Sequence, residues 1–252
     1  MKSLAAVCSL IFFPFFLFAQ IEYFNSSSNP ADNGSLNSST PAVTPPADME
    51  DGDLVLLIGQ RRVSNVSFTI SETGGQDWNE LPALTGTGNV SARIFWCRYN
   101  GSWVADPSIN MSGTGGNTII MHVFRPPSRG YAWKLDVDQE QTGSAAAATI
   151  TRAGITTQNA NTITLASWFT ADDNSWGSLN DISGTGWVVT GDPQYRNRQG
   201  QDQSATFAHL IRTTAGSTGD VSKEQTQFGN DAARTAIVSF YCYRTNMPLY
   251  MF

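Results

Sequence analysis

Apolar residues in this chain come in short blocks set apart by Gly, Pro, Asn and Ser, and no stretch carries a convincing helical period. LVLLIG at 54–59 follows the turn signal Asp51-Gly52-Asp53 and predicts a buried strand. Further strands are predicted at 66–71 (VSFTIS), 92–99 (ARIFWCRY), 118–125 (TIIMHVFR) and 131–138 (YAWKLDVD). Four more follow at 162–169 (TITLASWF), 186–191 (GWVVTG), 205–212 (ATFAHLIR) and 235–243 (TAIVSFYCY). GSAAAATI at 143–150 is helix-prone in composition, but it is short and flanked by Thr and Gly.

The order of these blocks repeats. LVLLIG, then TISETGGQDW, SARIFWCRY and TIIMHVFR in the first half parallel TITLASWF, then DISGTGW, SATFAHLIR and TAIVSFYCY in the second. The residues mostly differ, yet Ile70 to Trp78 answers to Ile182 to Trp187. Many short strands in this order predict an all-β, antiparallel β-sandwich, jelly-roll-like or immunoglobulin-like, made of two similar four-stranded halves. The repeat also bears on Gly74-Gly75-Gln76, a tripeptide that peptide-release factors use for hydrolysis. Both halves place Ile-Ser, glycines and Trp here, and only one has the Gln, so a turn that aims a large ring inward is the better reading.

Several stretches together resemble a β-sandwich domain of bacteriophage tail and particle proteins and of exported bacterial surface proteins. They are PPADMEDGDLVLLI with its Gly/Trp turn, RIFWCRY, TRAGITTQNANTITLASWFT, GTGW and TTAGSTGDVSKEQTQFGNDAARTAIVSFY, together spanning roughly residues 40–243. The resemblance implies a structural or adhesive role and brings no catalytic residue with it.

Composition narrows the setting. Charged residues make up only 14% of the chain, as in extracellular all-β proteins. Residues 1–20, with Lys2 followed by an uncharged apolar run ending near Ala19, read as a cleaved export signal, which predicts a secreted or surface location. Removing them leaves 14 basic residues against 21 acidic ones, a balance that argues against nucleic acid and, after signal removal, against an anionic membrane surface. Residues 21–46, rich in Ser, Asn and Pro, read as an arm or linker, and 47–252 as a single β-sandwich domain. Cys97 and Cys242 stay in the mature chain, either as one disulfide or as two buried thiols.

Candidate chemistry is sparse. His122 and His209 both fall inside predicted strands, and the chain has no His-x-His, Cys-x-x-Cys or Gly-x-Ser-x-Gly pattern. No cofactor is expected, with calcium the one candidate ion. Calcium takes six to eight oxygens, and the loop holding Asp172, Asp173, Asn174 and Asp181 is the best source; the acidic run 48–53 misses the Asp-x-Asp-x-Asp-Gly register. Trp176, in the polar DDNSWGSLND, is expected to be exposed, and with Tyr195, Arg196 and Arg198 it makes a candidate glycan face. Seven Asn-x-Ser sequons, from Asn25 to Asn110, fall in the first half.

The sequence therefore points to a non-enzymatic structural or adhesive subunit of an extracellular assembly, either a surface filament or a virion or tail component. Ile21, Tyr23 and Phe24 form the apolar part of the arm, placed to add as a strand to a neighbouring subunit and so to drive self-association; the apolar end NMPLYMF is a second contact. A carbohydrate-binding module is the alternative, and a glycoside hydrolase a further one.

Overall fold

The computed structural model describes residues 20–86, 88–113, 115–198, 202–227 and 229–245. The expected export signal falls outside the described residues except for Gln20, and the apolar end at 246–252 lies wholly outside them.

The first half holds β1 (Glu22–Asn29), β2 (Leu54–Arg61), β3 (Phe68–Glu72), β4 (Asn79–Glu80), β5 (Ser91–Arg98), β6 (Ser108–Met111) and β7 (Asn117–Arg125). The second adds β8 (Tyr131–Gly143), β9 (Thr149–Arg152), β10 (Thr156–Thr157), β11 (Thr162–Thr170), β12 (Trp176–Asp181) and β13 (Val188–Val189). It ends with β14 (Tyr195–Asn197), β15 (Gln203–Arg212), β16 (Gly216–Ser217), β17 (Val221–Gln225) and β18 (Ala233–Arg244). No helix occurs among the described residues, and the fold is an all-β assembly of packed antiparallel sheets.

Two large sheets carry it, with strand orders β1-β7-β2-β5-β4 and β13-β15-β11-β18-β8; β14 also pairs with β15. Between them lies a core of Leu54, Leu56, Ile58, Ile94 and Phe124 from the first sheet and Ile163, Leu165, Phe169, Phe207 and Phe240 from the second. The outer face of each sheet is covered in turn. The pair β3-β6 closes over Val55, Leu57, Cys97 and Met121, while β12-β17-β9 closes over Ala166, Trp168, Leu210 and Ile237. Strands β2 and β11 are consequently buried along their whole length, which is why their sequences read as nearly unbroken apolar runs. Each Leu, Ile or Phe removed from water contributes about 1.5–3 kcal/mol, so these three clusters dominate the stability.

The strand plan occurs twice. β7-β2-β5 at the centre of one sheet answers to β18-β11-β15 in the other, β1 edges β7 as β8 edges β18, and β4 pairs with β5 as β13 pairs with β15. In the covers, β3-β6 answers to β12-β17. The repeating unit is thus larger than the four strands expected for each half, because short edge strands and a cover belong to it as well.

The segment 21–46 is part of this plan rather than a free arm. Ile21 is buried in the central core, and β1 pairs antiparallel with β7 of the same chain from Glu22↔Arg125 to Asn29↔Ile119. Tyr23 packs toward the central core and Phe24 toward the outer cluster, where the Arg125 guanidinium lies 3.8 Å over its ring. Residues 39–43 then run beside β6: Met111 N donates to Ser39 O at 2.7 Å, Ile109 N to Pro41 O at 3.2 Å and Val43 N to Pro107 O at 3.1 Å. They occupy beside β6 the place that β9 takes beside β17. The linker expectation failed because low hydrophobicity was read as looseness, whereas an edge strand needs few apolar side chains when its backbone is paired.

Candidate functional site

Most of the polar residues singled out in the sequence turn out to hold the fold together. Trp176 is only 5% exposed, packs in the outer cluster of the second sheet and donates its indole N–H to Ser204 Oγ at 3.0 Å. Its polar neighbours had suggested exposure, but β12 covers the sheet with one face in and one face out, and Trp176 is on the inner face. Tyr195 is fully buried; its hydroxyl donates to Ser26 Oγ at 3.3 Å and accepts from Asp192 N at 3.1 Å. Arg196 clamps Asp32 with two bonds of 3.0 Å and reaches Ser175 Oγ at 2.9 Å, while Arg198 Nε donates to Asp173 Oδ2 at 2.7 Å. The glycan face expected from Trp176, Tyr195, Arg196 and Arg198 is therefore not formed.

The expected calcium set also divides. Asp172 and Asp173 meet Asp202, with one oxygen from each within 4.8 Å of the others. Burial first, and then the charges of Asp202 and Asp231, push the Asp172 carboxyl above the ordinary carboxylate range. Arg198 pairs with Asp173 and Arg62 with Asp202, so cations of the chain already balance two of the three carboxylates. Asn174 spends its amide N–H groups on Gln225 and on Asp231, the latter at 2.8 Å. Asp181 serves another turn: it accepts from Gly186 N at 2.6 Å and Trp187 N at 3.1 Å. Although burial acts the other way, these bonds and those from Thr185 hold its carboxyl below the ordinary range.

Cys97 and Cys242 are free thiols, each buried: Cys97 on β5 faces the outer cluster of the first sheet, whereas Cys242 on β18 of the second sheet faces the central core, so the first sheet lies between them. A disulfide needs Cα atoms about 4.4–6.8 Å apart with converging Cβ vectors, which two residues facing different clusters on either side of a sheet do not offer. Burial pushes both thiols up, Cys242 to about 12.

The first repeat keeps an open surface at its Gly/Trp turn. Gly74 and Gly75 sit at φ of 63° and 83°, in the left-handed region that suits glycine. A Cβ on Gly74 would come within 2.6 Å of the Trp103 ring, so the turn packs straight onto that indole. Gln76 is 4% exposed; its amide donates to Ser102 O at 2.7 Å and Asn100 Oδ1 at 3.0 Å, and its carbonyl accepts from Asn100 N at 3.0 Å. Gln76 is thus a clamp between two loops, with both ends of its side chain occupied. This agrees with the turn reading of the tripeptide.

The clamped turn sets Trp78 at the surface, half-buried, with its N–H on Thr73 O at 2.8 Å and its ring 6.4 Å from that of Trp103. Beside it opens a groove of about 410 Å³ lined by Thr69, Ile70, Thr73, Gln76, Asp77, Trp78, Glu80 and Phe95. Asp77 and Glu80 are exposed; Glu80 pairs with Arg93 at 3.0 Å, and Asp77 has no hydrogen-bond or ion-pair partner among the described residues. In the second repeat the matching Trp187 is 5% exposed, belongs to the outer cluster and donates to Thr218 O at 2.9 Å. One copy of the turn buries its ring in the outer cluster; the other packs its ring against the outer cluster only in part and leaves the rest, with two carboxylates, at the rim of a groove.

Sequence reasoning missed this site because it read Trp78 as turned wholly inward, whereas the ring packs on the outer cluster and still leaves part of itself at the surface. The signal was the Gln-Asp pair between the glycines and Trp78, which the second copy lacks. Comparison with protein-family models, with curated proteins and with solved structures gives no match for this chain.

Proposed function

We propose that this protein is a non-enzymatic adhesive module of an extracellular structure, and that it holds a carbohydrate in the Trp78 groove. The observation that carries this reading is the groove itself: a half-buried indole beside Thr69, Thr73, Asp77 and Glu80. A pyranose has a flat apolar face and a rim of hydroxyls, so it stacks on an aromatic ring while carboxylates and threonines take its hydrogen bonds. The rigid clamp of Gln76 favours binding, because little side-chain freedom is left to lose at the turn.

A hydrolase reading has less support. A sugar-cleaving pair needs one carboxyl held in a desolvated place as an acid, whereas Asp77 and Glu80 both stand exposed and Glu80 is ion-paired with Arg93. Both histidines are buried between the sheets, where they face aromatic rings.

Titration calorimetry against a panel of oligosaccharides tests the proposal. The wild type should bind at least one member, and Trp78→Ala should weaken that binding about tenfold or more while circular dichroism shows the sandwich still folded, with some loss of thermal midpoint from the ring's packing on the outer cluster. Binding that survives in Trp78→Ala, or release of reducing sugar, would refute it.

A further inference from the structure

Resting on the sugar-binding reading of the Trp78 groove, we infer that its ligand is an amine-bearing sugar, taken in preference to neutral and acidic ones. The groove has an uneven charge. Asp77 is exposed and has no hydrogen-bond or ion-pair partner among the described residues. Glu80 has a partner, but that cation is tied down: Arg93 Nε donates to Leu81 O at 2.9 Å, its Nη1 to Phe68 O at 3.1 Å, and the guanidinium lies 5.5 Å over Phe95. Arg93 thus balances one carboxylate and is not turned to a ligand. No Lys, Arg or His is among the lining residues, so the groove keeps about one uncompensated negative charge next to an indole.

An ammonium suits both features. It is attracted to the negative face of an indole, and it forms charge-assisted hydrogen bonds to carboxylates. A uronic or sialic acid would bring like charges together in a half-enclosed space. A neutral sugar would stack on Trp78 and give Asp77 only hydroxyl hydrogen bonds, without the charge-charge attraction an ammonium adds. Selection between these three ligand charges therefore follows from the lining and not from stacking.

The test compares a glucosamine oligomer, its N-acetylated counterpart and a galacturonic acid oligomer of equal length by calorimetry, at a pH mild enough to keep the protein folded and low enough to keep the amine charged. The amine oligomer should bind about tenfold tighter than the acetylated one, with the acidic oligomer weakest, and added salt should shrink the difference. Asp77→Asn should remove most of the advantage, weakening the amine oligomer far more than the acetylated one. Asp138→Asn, which alters an exposed carboxylate on β8, should leave the advantage intact and so separates a local effect from overall charge. Equal affinity for the amine and acetylated oligomers, or an advantage that survives Asp77→Asn combined with Glu80→Gln, would overturn this inference while leaving the groove reading in place. If none of the three oligomers binds, this inference falls, and the wider oligosaccharide panel decides the groove reading by itself.

Discussion

At the scale of single residues, the tightest spot is the turn beneath Trp78. Any side chain on Gly74 must adopt φ near 63° and displace the Trp103 ring from 2.6 Å. Gly74→Ala should therefore cost about 2–4 kcal/mol, combining left-handed backbone with overpacking. Urea denaturation measures this, and a cost near zero would mean that the turn does not rest on Trp103. A second residue-scale consequence concerns His122 and His209. His122 is fully buried with neither ring nitrogen hydrogen-bonded, while His209 shares Thr190 Oγ1 at 2.9 Å and stacks with Tyr23 at 5.3 Å. Burial, and then the neighbouring His209, pushes His122 down to about 3; burial takes His209 to about 4. Above pH 6.5 both histidines are neutral in either state and stability is complete. As pH falls below that value the unfolded chain takes up protons that the native one refuses, and stability declines until the folded values are reached. Each histidine should remove about 1.4 kcal/mol per pH unit over this window. The urea midpoint should drop between pH 6.5 and 5, before most carboxylates titrate, and His122→Phe should flatten the drop. Some of this scale was hidden in the sequence for a simple reason. Asn33, Asn65 and Asn89 stood out as glycosylation sequons, yet all three have positive φ, so the turns themselves account for asparagine there.

At the scale of elements, what decides an assignment is which backbone edge a segment satisfies. Removing residues 21–46 would strip the partner from β7, uncover β6 and open both the central and the outer core at Ile21 and Val43. The truncated chain should be unfolded or aggregated in circular dichroism and size-exclusion chromatography. A soluble, folded truncation would show instead that the segment is dispensable to the sandwich. The strands themselves were legible: all nine apolar blocks fall on or overlap observed strands, since alternation and continuous burial leave strong marks. Short strands such as β4, β10 and β14 were not, because two or three residues carry no period. Trp176 shows the same limit from the other side, in that a strand polar on one face conceals what its other face covers.

At the scale of the whole molecule, two copies of one strand plan face each other across a shared core, and Gln60 and Gln203 stitch them at one end. Gln60 Nε2 donates to Ser204 O at 2.9 Å, and Gln203 Nε2 donates to Gln60 O at 3.2 Å, both fully buried. The repeat was readable from the order of blocks, though its size was not. The groove was not readable at all, since it arises from a difference between two copies of one turn, and that difference shows only when the burial of Trp78 and of Trp187 is known. Hydrogen–deuterium exchange with and without the tightest-binding oligosaccharide tests the proposed Trp78 groove most directly. Slower exchange should appear across Thr69–Glu80 and in β5, with the remainder unchanged. Protection at Asp172–Arg198 instead, or along the β8 edge, would contradict the assignment of the Trp78 groove.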